Sequence, residues 1–133
     1  MPAGAARTAT GITVSIARDP ALVRTVRLVA AAVARRTSQD EDFVEEVRLA
    51  VGEACALLVG QDDGRGGPVE VRMLLEDRLR VSVVGSGSIA AEDAPTSDID
   101  GVEPWALLRG LIEDFEIAGD GDDTVLSMSW PLG

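Results

Sequence analysis

Histidine and tyrosine are absent from this chain of 133 residues, and it has one cysteine, Cys55. Without histidine it lacks the usual general base and a common metal ligand. A lone cysteine cannot close an internal disulfide. Set in an apolar helical pattern, Cys55 reads as a small buried packing residue. Long hydrophobic runs are missing too. None approaches the ~20 residues that cross a bilayer, so no membrane span is expected. The first residues carry Arg7 but no apolar stretch of the secretory kind, so a cytoplasmic protein is expected. Positive charge is scarce, with 12 Lys and Arg against 23 Asp and Glu, a net charge of −11. Such a surface repels phosphate backbones and argues against DNA or RNA as a partner. A basic protein partner is compatible with it.

The length allows one domain with a sizeable core, and 46% hydrophobic residues imply a packed fold. Residues 1–10 read as a flexible arm and 11–133 as one domain. Ile12, Val14 and Ile16 alternate with polar or small residues, as in a half-buried strand. Asp19-Pro20 opens a first helix, with Asp as cap and Pro in the first turn. Leu22, Val26, Val29 and Val33 form its buried face. Arg24, Arg27 and Arg35 lie opposite, with Leu28 beside them. The concentration of arginine in so acidic a chain suits either a solvated face or a partner surface.

The strongest helical pattern runs from Asp42 to Val59. Phe43, Val47, Ala50, Val51, Ala54, Leu57 and Leu58 repeat at helical spacing. Ser38 and Glu41 have the spacing of a capping box before it. Glu53 sits at the edge of the apolar stripe, in a row with Glu46, Leu49, Ala50 and Leu57. Glycines between Gly60 and Pro68 make a loop. Val69, Val71, Met73 and Leu75, a turn at Asp77-Arg78, then Leu79, Val81 and Val83 read as a β-hairpin. Gly85-Ser-Gly-Ser-Ile-Ala90 nearly spells a dinucleotide fingerprint, but an acidic loop to Glu103 follows instead of a helix. Pro104 opens a third helix, with Trp105, Leu108, Leu111, Ile112 and Phe115 on its apolar face. A short strand at Glu116–Ala118, a turn at Asp120-Gly121 and a strand with Leu126, Met128 and Trp130 on one face complete the chain. Asp120, Asp122 and Asp123 lack the other ligands of a calcium loop. No metal site is expected from these residues.

This order predicts an α+β two-layer sandwich, three helices on one face of a mainly antiparallel sheet. The stretch Arg48-Leu-Ala-Val-Gly-Glu-Ala-Cys55 resembles the first nucleotide box of the RsbW/SpoIIAB-type anti-sigma factors, in the histidine-kinase-like ATPase superfamily. In that box, roughly R-L-A-V-S-E-A-C-T-N-A-V, the Glu and the Asn four residues on hold magnesium and phosphates. Glu53 matches the Glu, and Leu57 stands in place of the Asn. In the second box, Asp-x-Gly-x-Gly, Gly85 replaces the adenine-reading Asp and Gly87 matches a glycine. At the third box, Pro104 and Glu103 stand where a glycine-rich phosphate lid is expected. The combination is similar to the actinobacterial UsfX-like branch, in which these boxes are eroded.

The resemblance implies an anti-sigma factor that sequesters a sigma factor and is released by a STAS-type anti-anti-sigma protein. It implies no nucleotide, or weakly bound ATP or ADP with magnesium. The alternative is an active serine/threonine kinase that phosphorylates the anti-anti-sigma protein, with Glu53 as catalytic base. Arg24, Arg27, Leu28 and Arg35 are the candidate partner surface, and the same surface would serve a homodimer.

Overall fold

The computed structural model describes residues 10–60, 67–86, 114–120 and 123–132. Strand β1 (Thr10–Ile16) leads through Ala17 and Arg18 into a short 3-10 turn, Pro20–Leu22, and helix α1 (Val23–Arg35). Thr10 is already paired with Leu75, so the ordered sheet reaches into the stretch read as an arm. The expected start is found. Asp19 Oδ1 accepts from the Ala21 amide at 3.0 Å, and Pro20 occupies the first turn, where no amide partner is needed. α1 ends with the Ala34 carbonyl accepting from the Thr37 amide at 3.0 Å, the Ser38 amide at 3.2 Å and Thr37 Oγ1 at 2.8 Å, so this carbonyl of the last turn is well satisfied.

Helix α2 (Glu41–Val59) starts one residue earlier than predicted, and its cap differs. Asp40, not Ser38, is the N-cap: its carboxylate accepts from the Asp42 amide at 2.9 Å. Ser38 Oγ accepts from the Asp40 amide instead, at 3.0 Å. Glu41 is therefore the first helical residue and cannot close a capping box, which needs its acidic side chain three positions after the cap. There it adds negative charge to the first turn, where the helix dipole favours it.

Strand β2 (Val69–Leu75) and strand β3 (Arg78–Ser86) form the predicted hairpin, with the turn at Glu76-Asp77, one residue earlier than expected. Strand β4 (Asp114–Asp120) and strand β5 (Asp123–Pro131) pair antiparallel, with Asp120 opposite Asp123. The strand expected at Glu116–Ala118 is thus longer, and it takes in Phe115, which the helical spacing places on the third helix. Alternation of Phe115, Ile117 and Gly119 with polar or small residues suits a strand better than a helix end. The rest of that predicted helix, from Pro104, lies outside the described residues. So do Gly87 and the acidic loop.

The five strands lie in the order β1-β2-β3-β5-β4, every neighbouring pair antiparallel. Register stacks the apolar positions into rungs. Val14, Val71, Val83, Leu126 and Ile117 form one, and Ile12, Met73, Val81, Met128 and Phe115 the next. Because opposed residues share a face, these rungs make one apolar side, and α2 packs on it over β2 and β3. α1 packs on α2 and reaches β2. Val47, Val51, Ala54, Leu58, Val71, Met73, Val81, Val83 and Met128, which the helical and strand patterns turn inward, are all buried. Leu22 and Val29 are only half-buried, while Ala30 and Ala34 fill the seam of α1.

Candidate functional site

The residues of interest gather round the second half of α2. Glu53 and Leu57 lie one turn apart and both are half-buried. Glu46, two turns before Glu53 on the same side, accepts a 2.7 Å hydrogen bond from Trp130 Nε1 of β5 and ties the helix to the sheet. Glu53 makes no hydrogen bond to any described residue, so its carboxylate is available. Among the described residues no three His, Cys, Asp or Glu side chains converge as a metal site. Arg48 pairs with Glu45 on the outer surface. Its hydrogen bond and charge hold the Glu45 carboxyl below the usual carboxylate range.

At the end of α2 the key side chain is Arg18, from the link between β1 and α1. Its Nη1 donates to the Leu58 carbonyl at 2.7 Å, its Nε to the Gly67 carbonyl at 2.8 Å. Its Nη2 donates to the Ser86 carbonyl at 2.7 Å and to Ser86 Oγ at 3.0 Å. One planar fork joins the C-terminus of α2, the entry to β2 and the end of β3. It also supplies the positive charge that α2 lacks in its own last turn. Gly85 lies against this fork. A Cβ there would sit 3.2 Å from Arg18 Nη2 and 3.5 Å from both Leu58 Cδ1 and Val69 Cγ2. A Cβ at residue 85 would press on the tied guanidinium and meet the core at ordinary contact distance.

The arginine stripe of α1 divides. Arg24, Leu28 and Arg35 point outward, and Leu28, 64% exposed, is the most exposed of the large apolar residues described. Arg35 faces Glu41 at 3.7 Å across the link to α2, a weak solvated pair. Arg27 does not belong to this outer face. It is half-buried and crosses α2 at Gly52, where a Cβ would lie 2.3 Å from its Nε and 2.6 Å from its Cγ. Only glycine leaves room for that crossing. The helical wheel put Arg27 opposite Val26, but α2 lies against the flank of α1 as well as its apolar face. Cys55, one turn along from Gly52, is fully buried, and burial pushes its thiol up to about 11, opposed in part by the Arg27 charge. So little thiolate at neutral pH makes Cys55 a packing residue.

Residues 16–130 match the family described as Histidine kinase-like ATPase domain. The chain belongs to that family. Its relatives are of the RsbW type. It is 34% identical to Serine-protein kinase RsbW of Bacillus velezensis (strain DSM 23117 / BGSC 10A6 / LMG 26770 / FZB42), over 77% of this chain and 66% of that protein. It is 30% identical to Serine-protein kinase RsbW of Bacillus subtilis (strain 168), with the same coverage. The chain thus spans just under two-thirds of the length of those relatives. The fold also matches part of the chain in the crystal structure of the RsbU and RsbW domains of Rv1364c from Mycobacterium tuberculosis, with a TM-score of 0.72 at 16% identity, covering 92% of this chain and 32% of that one.

Within this histidine kinase-like ATPase domain, Glu53 and Leu57 stand on α2, and Gly85 stands on β3 against Arg18 and Leu58. The fourth box position, Gly87, lies outside the described residues. Arg18 and Gly52 escaped the sequence reading. Arg18 carries no local signal, because its partners lie 40 to 68 residues away. Gly52 had one: it stands where the family pattern has Ser.

Proposed function

We propose that this chain works by binding protein partners. It sequesters a sigma factor in a partner switch with a STAS-type anti-anti-sigma protein, in the cytoplasm, with nucleotide binding weak or lost. One observation carries the second half of the proposal: at the position matched to the adenine-reading carboxylate there is a glycine, and the tied guanidinium of Arg18 packs against it. An acceptor for the adenine amino group is replaced by donors already committed to carbonyls. Leu57, one turn beyond Glu53, offers no oxygen to a cation, so Glu53 alone is a poor fit for a hard, octahedral magnesium ion. The described residues do not fit magnesium-ATP. The erosion is of the kind the UsfX-like branch shows.

Calorimetric titration with ATP and magnesium tests this. No binding tighter than about 1 μM, roughly −8 kcal/mol, is expected. The alternative, a serine/threonine kinase acting on the anti-anti-sigma protein, draws on the names of the relatives and on Glu53, whose unengaged carboxylate could serve as base. Phosphate transfer to that protein, lost in Glu53→Gln, would establish the kinase and sink the binding-only reading.

The partner surface we infer is the outward stripe of Arg24, Leu28 and Arg35. It joins an exposed apolar residue to guanidinium groups, a combination frequent in interface hot spots. Arg27 contributes from its buried position only indirectly. Arg24→Glu with Leu28→Ser is expected to weaken binding of the sigma factor, or self-association, by at least about tenfold, or 1.4 kcal/mol. Thermal unfolding should hardly change, since neither side chain is buried. Wild-type affinity and an unchanged sedimentation profile in the double variant would reduce the stripe to a solvated face.

A further inference from the structure

Arg27 poses a question that neither the core nor the partner stripe answers. Its Nε is buried without a hydrogen-bond partner, and no described carboxylate pairs with its guanidinium. A buried donor left without a partner is destabilising, and more so in a charged group. The chain carries eleven more acidic than basic side chains, yet none of the described carboxylates matches this cation. Beside it is a cavity of about 410 Å³ between the start of α1 and the end of α2. Pro20, Val23, Ala56 and Val59 form its apolar walls, and Arg18 and Arg27 its polar side.

The two arginines are not equivalent. Arg18 is held by the carbonyls of Leu58, Gly67 and Ser86. Arg27 makes no such bonds, so one guanidinium remains to meet an anion. The volume lies at the small end of the range for ligand pockets, about 300–1,000 Å³, which typically combine apolar walls with a few placed polar groups. The cavity is also separate from the nucleotide boxes. At 100° per residue, Ala56 and Val59 look toward α1 on the side of Gly52, while Glu53 and Leu57 lie about a third of a turn round the helix.

We propose that this cavity binds a small organic monocarboxylate with an apolar body, its carboxylate meeting Arg27 and its body lying on Val23, Ala56 and Val59. A single charge matches the one available guanidinium, and the aliphatic walls suit a hydrocarbon body better than a hydrated dianion. Gly52 makes the site possible, because its missing side chain lets Arg27 lie across α2. The proposal stands independently of the partner switch.

Hexanoate, hexan-1-ol and inorganic phosphate are the probes, followed by ¹H–¹⁵N correlation spectra of the full chain. Hexanoate is expected to shift the amides of Val23, Ala56, Val59 and Gly60 saturably, at least about tenfold more tightly than hexan-1-ol or phosphate. Arg27→Met keeps the stem and removes the charge, and it should lose that preference. Gly52→Ala keeps every charge but places a methyl 2.3 Å from Arg27 Nε, so Arg27 must swing away and hexanoate affinity should fall at least about tenfold. If Arg27→Met does not fold, the alcohol comparison and Gly52→Ala decide. Absence of saturable shifts, equal affinity for hexan-1-ol or phosphate, shifts centred elsewhere, or undiminished binding in a folded variant would overturn the proposal.

Discussion

Replacing Arg18 by Met is expected to cost about 3–5 kcal/mol of folding stability, read as a lower midpoint in urea unfolding. A hydrogen bond from a charged donor contributes about 1.5–3 kcal/mol, and this one side chain serves the carbonyls of Leu58, Gly67 and Ser86. The three losses are coupled, since they share one fork, so they will not add in full. Met fills a similar volume but leaves those carbonyls without their donor and the C-terminus of α2 without its cation. A domain with a total of about 5–15 kcal/mol feels such a loss strongly. Arg18→Lys should recover only part of it, because an ammonium on a flexible stem cannot reach three carbonyls with fixed geometry. A loss under about 1 kcal/mol in Arg18→Met would mean that the fork is an ornament of the fold.

Leu58→Ala should destabilise by about 2–5 kcal/mol, the range for deleting a buried leucine side chain and leaving a cavity. Leu58 is fully buried, and its Cδ1 lies 3.5 Å from the place a Cβ on Gly85 would take. Neither glycine nor the tied Arg18 can move in to fill the gap, so the cost should fall in the upper part of that range. Leu28→Ala is the matched control. The same atoms are removed from a residue that is 64% exposed, and stability should change by under about 0.5 kcal/mol. Equal effects at the two positions would contradict the burial pattern on which the packing of α2 rests.

Periodicity located both described helices and most of the strands. The alternation in Val69–Leu75 and in Leu126–Trp130 gave the correct inward faces, because a sheet covered on one side sorts residues two by two. It failed at Phe115. Leu111, Ile112 and Phe115 also fit helical spacing, and short apolar runs do not separate the two periods. The cap of α2 was misjudged for a similar reason. Ser38, Asp40 and Glu41 offer competing local hydrogen bonds, and the choice of Asp40 fixes where the helix starts.

Local residue chemistry determined the Asp19-Pro20 start, the inward faces, the packing role of Cys55 and the box-like stretch from Arg48 to Cys55. Each depends on neighbours within a few residues, and such information survives in a linear string. Tertiary structure alone decided that Arg18 closes the end of α2, that Gly85 lies against a guanidinium, and that Arg27 leaves the outer face to cross Gly52. These contacts join residues from 25 to 68 positions apart. No local period encodes them. They follow from the antiparallel register that brings the end of β3 beside the entry to β2, and from the close approach of α1 to α2 that a single missing side chain permits.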